Sequence, residues 1–334
     1  MTQSFDIDDH SRFERPRRHT RPRTKDRPSY DDATSGFVIT VDRGRFTVRV
    51  PDEGGERTVT AMKSRHLGRT GVVVGDRVRM VGDVSGDSGS LSRIVEVEER
   101  KTVLRRTADD DDPVERIVVA NANQLVVVTA VANPEPRRRL IDRALVAAYD
   151  AGLDPLLCLT KVDLADPETL LSIYRPLGVP HVVAERGSDL GVVRDRLRGE
   201  VSVLVGHSGV GKSTLVNALV PGTRRAIGDV NAVTGRGRHT STSALALELP
   251  FGGWVVDTPG IRSFGLAHVD PRHLIKAFDD LDALTVDCPR GCKHGESEPE
   301  CALDDGVADG RADAARVESF RRLLASRDHA ADDF

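Results

Sequence analysis

The first 35 residues show no hydrophobic period: they are polar, dotted with proline and read as disordered. From residue 36 to 100 short apolar runs recur at 37–41, 46–50, 57–61, 77–81 and 94–98. Glycine- or aspartate-bearing turns separate most of them, which predicts five strands. So many short strands in so short a stretch point to a small closed β-barrel of the OB type. From 101 to 270 apolar strands (125–131, 155–159, 181–184, 201–205 and 254–256) alternate with helical periodicity, clearest at 137–151 and 212–220. That alternation is the signature of a mostly parallel α/β sheet. The remainder, 271–334, reads as a small tail module with a last amphipathic helix over 312–325, its apolar side formed by Val317, Phe320, Leu323 and Leu324. The expected architecture is therefore a multidomain α/β protein with a disordered arm (1–35), a barrel (36–100), an α/β domain (101–270) and a C-terminal module (271–334).

Composition narrows this picture. A chain of 334 residues has room for two or three domains. No run approaches the length of apolar sequence that spans a bilayer, so the expectation is a cytoplasmic protein with no membrane partner. The net charge of −4 does not by itself predict a nucleic-acid partner, but local charge does more. Eight Arg or Lys residues against two acids lie between Arg12 and Arg27, and six against one between Arg57 and Arg79. The first run is either a solvated tail or an arm for RNA phosphates. The barrel has only Phe37 and Phe46 as aromatics, which argues against base stacking; it contacts nucleic acid through phosphates and shape, or merely supports its neighbour.

Three short motifs carry chemistry. Residues 206–213 read G-H-S-G-V-G-K-S, directly after a predicted strand and opening a predicted helix. Gly206, His207, Ser208, Gly209, Val210 and Gly211 form a loop whose backbone N–H groups can face phosphates, and Thr214 follows in the first helical turn. Lys212 is placed to bridge β- and γ-phosphates, and Ser213 to hold Mg2+. Asp257 opens D-T-P-G at the end of an apolar strand, where a carboxylate orients Mg2+ through water and the N–H of Gly260 can meet a γ-phosphate. T-K-V-D supplies base selection: Asp163 can accept from both guanine N–H groups, Lys161 can lie along the base, and Thr160 stands where asparagine is commonest. Asp163 thus argues for GTP over ATP. The base-reading motif precedes the phosphate loop, the reverse of the usual order, which points to a circularly permuted GTPase. The position after D-T-P-G is Ile261, which cannot hydrogen-bond a water. In the segment 235–242, G-R-G-R-H-T-S-T, His239 is the candidate to position or deprotonate water, and Thr240 and Thr242 compete for the Mg2+ shell. The basic residues there are alternatively ligands for RNA phosphate.

Cys288, Cys292, His294 and Cys301 form a tight cluster suited to one structural, closed tetrahedral Zn2+ site; Cys158 reads as core.

Together with N-A-N-Q at 121–124, L-I-D-R at 140–143 and D-T-P-G-I-R-S-F-G-L at 257–266, these motifs resemble the RsgA (YjeQ) family over about residues 36–325. The resemblance implies an N-terminal OB-fold, a permuted GTPase domain and a zinc-binding C-terminal domain. It also implies low intrinsic GTP hydrolysis that rises on the small ribosomal subunit, with rRNA as partner, and a role late in that subunit's maturation. The family's catalytic histidine falls on His239. The chain departs from the family at Ser241, which interrupts a run of threonines, at Asn123, and in ligand spacing within the Cys/His cluster. The segment 183–186 lacks the Ser-Ala pair of a guanine-contacting loop. The competing expectation is an RNA-binding assembly protein in which GTP is structural. A monomer is expected.

Overall fold

The computed structural model describes residues 30–52, 55–107, 115–221, 244–258, 266 and 269–328. Five strands build the barrel: β1 (Thr34–Asp42), β2 (Arg45–Asp52), β3 (Gly55–Lys63), β4 (Arg77–Gly82) and β5 (Ser92–Val97). They run in the order β1-β2-β3-β5-β4, and β4 returns to pair with β1, closing the cylinder. The period-2 pattern sends Val38, Val48, Val50, Val59, Val78, Met80 and Ile94 inward, all with no exposed surface. Each such side chain stabilises the fold by about 1.5–3 kcal/mol relative to exposure. β1 crosses β2 closely at Gly36, where a Cβ would meet Val48 Cγ1 at 2.5 Å and Arg49 O at 2.9 Å.

A second body is a parallel sheet with one antiparallel edge. Its strands are β8 (Gln124–Ala130), β9 (Asp154–Thr160), β10 (His181–Ala184), β11 (Val201–Val205), β12 (Leu245–Glu248) and β13 (Trp254–Asp257). The order is β10-β9-β8-β11-β13-β12, with only β12 antiparallel to its neighbour. Both faces are covered, which is why these strands are continuous apolar runs. On one face α1 (Arg138–Asp150) and α2 (Glu168–Tyr174) cover Leu125, Val127 and Leu157; on the other α3 (Gly191–Leu197) and α4 (Lys212–Leu219) cover Val126, Val128 and Leu156.

Barrel and sheet are joined edge to edge, through the pairing of Thr40 in β1 with Leu245 in β12. Phe37 lies against Trp254 with ring centroids 4.9 Å apart, and Arg49 bonds Glu248 at 2.6 Å. A hairpin of β6 (Val103–Thr107) and β7 (Glu115–Ala120) sits at the second joint, where the Ala120 N–H donates to Val74 O. The N-A-N-Q segment is part of this joint. The Asn121 amide donates to Gly75 O and accepts from Lys101 N–H, while Asn123 Oδ1 accepts from Val201 N–H at 2.6 Å. Asp76, fully buried, is held by a two-pronged bond from Arg100 (2.7 and 2.8 Å).

The C-terminal module contains the short helices α5 (Pro271–Leu274) and α6 (Asp279–Asp282), then α7 (Ala302–Ala308) and α8 (Ala314–Asp328). The last helix begins two residues later and ends three residues later than its apolar period predicts. Asp313 accepts from the Arg316 N–H, setting the start after it. Val317, Phe320, Leu323 and Leu324 are buried as expected. The face packs on α1 through Phe278, which touches Tyr149 and Phe320 at 5.1 and 5.3 Å. The L-I-D-R segment has a structural task here: Arg143 donates to Ser326 O, and the Asp142 carboxylate accepts from Arg322.

Candidate nucleotide-binding site

β11 sits between β8 and β13, at the point where the strand order reverses, and such a switch point opens a crevice beyond the strand ends. The phosphate-loop motif leaves β11 there. A Cβ on Gly206 would strike the Val128 carbonyl oxygen, so the chain passes only because that residue is glycine. Gly209 and Gly211 have φ of +83° and +91°, the left-handed region that favours glycine. Val210 turns inward at 4% exposure, anchoring the loop, while Ser208, Gly209, Ser213 and Thr214 are exposed at its outer side and in the first turn of α4. Burial, aided by the positive charge of Arg137, lowers the His207 pKa below the ordinary histidine value, favouring the neutral ring.

Asp257 closes β13 beside Leu204 of β11, and its carboxylate forms an ion pair with Lys212 Nζ. Thr258 fixes this corner by donating its hydroxyl to Leu204 O at 2.9 Å. The two charges of opposite sign that the sequence assigns to phosphate and metal are thus side by side.

The base-reading motif reaches the same edge from β9. Thr160, 5% exposed, donates its hydroxyl to the phosphate loop at Val210 O (2.5 Å), with Thr129 O at 3.3 Å. Lys161 has φ of +55° and its amine donates to Asn133 O. Asp163 stands exposed in the turn that follows. Asn133 itself has positive φ, and the Cδ of Pro134 lies 3.8 Å from the Cβ position of Gly209, so this loop packs on the phosphate loop. Sequence reasoning missed that role, because an Asn-Pro pair signals a turn but not what the turn touches. Segment 183–186 leaves β10 beside Thr160, since Ala184 pairs with it. Gly260, Ile261, His239, Thr240 and Thr242 lie outside the described residues.

A separate donor cluster lies in the C-terminal module. The ligand atoms of Cys288, Cys292, His294 and Cys301 all fall within 4.8 Å of one another. His294 Nδ1 is 3.6, 3.5 and 3.9 Å from the sulfurs of Cys288, Cys292 and Cys301. A tetrahedral zinc site has N···S edges of about 3.6 Å, so the set fits that ion. Backbone N–H groups of His294 and Ala302 donate to the sulfurs of Cys292 and Cys288, and Arg321 donates to His294 O. Burial pushes the Cys292 thiol up to about 12, so a thiolate there needs a cation beside it. Four protein donors leave no position for a substrate.

Among known proteins, the RsgA GTPase family model matches residues 97–267. A small ribosomal subunit biogenesis GTPase RsgA from Pseudomonas syringae pv. syringae is 42% identical over 304 residues, 87% of this chain and 85% of the relative. The protein of that name from Ectopseudomonas mendocina is 47% identical over 218 residues, a match that spans 63% of each chain. Among solved structures, YjeQ from Thermotoga maritima superposes with a TM-score of 0.66 at 28% identity, covering 88% of this chain and 98% of that one. YloQ, described as a circularly permuted GTPase, superposes at 0.64 with 22% identity over 88% of this chain and 95% of its own. The permuted motif order, the fold that reunites those motifs and a match across more than half the sequence place this chain in the RsgA GTPase family.

Proposed function

We propose that this protein binds the small ribosomal subunit late in its maturation, hydrolyses GTP to GDP and phosphate there, and uses hydrolysis to leave. The observation that carries the reading is that Lys212 pairs with Asp257 and that Thr160 of T-K-V-D, although it precedes the phosphate loop in the chain, hydrogen-bonds to that loop at Val210. The ribosomal part comes from the relatives' names.

In this reading Lys212 exchanges its Asp257 partner for the β- and γ-phosphates, and Asp163 selects guanine by accepting from both of its N–H groups. Ser213 and Asp257, with Thr240 or Thr242, hold Mg2+, which neutralises developing phosphate charge when bound. His239 positions the attacking water, since Ile261 cannot. The Cys/His cluster holds one zinc ion and keeps the C-terminal module folded. The barrel, that module and the basic arm supply rRNA contacts. The protein works as a cytoplasmic monomer. Because β12 begins shortly after the segment 235–242 and pairs with β1, nucleotide state reaches the barrel through one strand.

The deciding experiment is GTP turnover by the purified protein alone, with small subunits and with large subunits. Stimulation by small subunits only is expected; turnover indifferent to both, in protein that binds GTP, overturns the ribosome-gated reading. His239→Ala is expected to lower stimulated turnover by about 100-fold or more while leaving GTP binding intact; full turnover in the variant removes His239 from the chemistry.

A further inference from the structure

The hydroxyl of Thr160 is spent inside the protein. A carbonyl oxygen only accepts, so Thr160 must be the donor to Val210 O, 2.5 Å away. A threonine hydroxyl has one proton. The carbonyls of Val210 and Thr129 are both within reach of it, and both require that same proton. The edge of guanine that faces outward from Asp163, its N7 and O6, also consists of acceptors. Thr160 cannot donate to that edge and to the loop together. An asparagine in its place has two amide protons and can serve both.

Burial supports the same assignment. Thr160 is 5% exposed at the end of β9, and its backbone is also committed, with its carbonyl accepting from Val131 N–H at 3.1 Å. Its side chain lies under the loop: the Cβ position of Gly211 is 3.7–3.9 Å from the Thr160 side-chain atoms. Gly211 precedes Lys212, so the hydroxyl acts on the turn that aims the phosphate-binding lysine.

We propose that Thr160 is a positioning residue that ties the base-reading strand to the phosphate loop and makes no hydrogen bond to the base, whose acceptor edge is left to main-chain N–H groups. This rests on the GTPase reading above and refines one residue of it. The loop leaving β10 starts beside Thr160, since Ala184 pairs with it.

The test uses full-length protein and three ligands: GDP, 7-deaza-GDP, which lacks the N7 acceptor, and 6-thio-GDP, in which a weakly accepting sulfur replaces O6 while N1 keeps its proton. Thr160→Val removes the hydroxyl at nearly constant shape. It is expected to weaken all three ligands by a common factor of roughly 2- to 10-fold, leaving their affinity ratios at the wild-type values, while Thr160→Ser restores wild-type affinity. A base contact predicts instead that GDP weakens while the analogue lacking the contacted acceptor does not, so that a ratio collapses; that result overturns the proposal. Should Thr160→Val fail to fold, Thr160→Asn decides. Its second amide proton is expected to raise the penalty for losing N7 or O6 above wild type, and unchanged penalties for both analogues overturn the proposal. Wild-type protein that binds none of the three while retaining its fold refutes the GTPase reading itself, a separate outcome.

Discussion

Cys158 lies in β9 two residues before Thr160, with no exposed surface, and burial pushes its thiol up to about 12. At neutral pH it is protonated and shielded, the opposite of a reactive cysteine. Alkylation of native protein is expected to leave Cys158 unmodified, with full labelling in denaturant; peptide mass spectrometry reads the difference, and rapid native labelling would contradict the burial. At this scale the sequence is most informative where chemistry demands one side-chain type. Lys212, Asp257 and Asp163 stand out in the sequence because a phosphate would need a cation, a magnesium ion a carboxylate, and guanine a bidentate acceptor; of these, the fold pairs Lys212 with Asp257. The hydrogen bond of Thr160 is not legible, since its partner is a carbonyl 50 residues further on. The same holds for Asn133, which the fold alone brings to Lys161.

The helix α8 is a strut, and three of its four arginines bind carboxylates on three different elements. Arg316 binds both oxygens of Asp280 in α6, Arg321 binds Asp304 in α7, and Arg322 reaches Asp142 in α1. The Arg316 hydrogen bonds hold the Asp280 carboxyl below its ordinary range. A depressed acid contributes stability that is present above the unfolded value, near 3.9, and disappears as pH falls through the lower folded value. Asp280→Asn is therefore expected to be less stable than wild type at pH 7, by at most about 1 kcal/mol given the exposure of the pair. The gap should start to narrow below roughly pH 4 and close only below the lower folded value of the carboxyl; a gap that persists there, measured by urea unfolding, would refute this account. Elements of this kind are legible to the extent that their pattern is periodic. The barrel strands and β8–β11 announce themselves by alternation or by unbroken apolar runs. The pair β6–β7 does not, because Arg105, Arg106 and Arg116 break its apolar character and an acidic stretch of sequence separates its arms. β12 spans only Leu245–Glu248, too short for a period, and becomes a strand because β1 and β13 flank it.

At the scale of the whole molecule, the joint between barrel and sheet contains the only tryptophan of the chain, Trp254, its ring tilted against Phe37 at the start of the strand that ends in Asp257. Its fluorescence should differ between GDP-bound and GTP-analogue-bound protein if the joint responds to nucleotide; identical spectra would mean that the barrel is rigidly carried. The sheet order has another consequence, for the order in which the protein is made. The barrel closes when β4 reaches β1, so it can be complete while the rest is still being synthesised. Next to emerge are β8, β9 and β10, half a sheet that already carries the T-K-V-D motif but has an open edge at β8. The strand that fills that edge, β11, arrives afterwards with the phosphate loop, and Asp257 later still. A growing chain therefore presents its T-K-V-D half before the glycine-rich loop at 206–213 exists. The nucleotide enters as the last piece of the domain, not as the seed around which it forms.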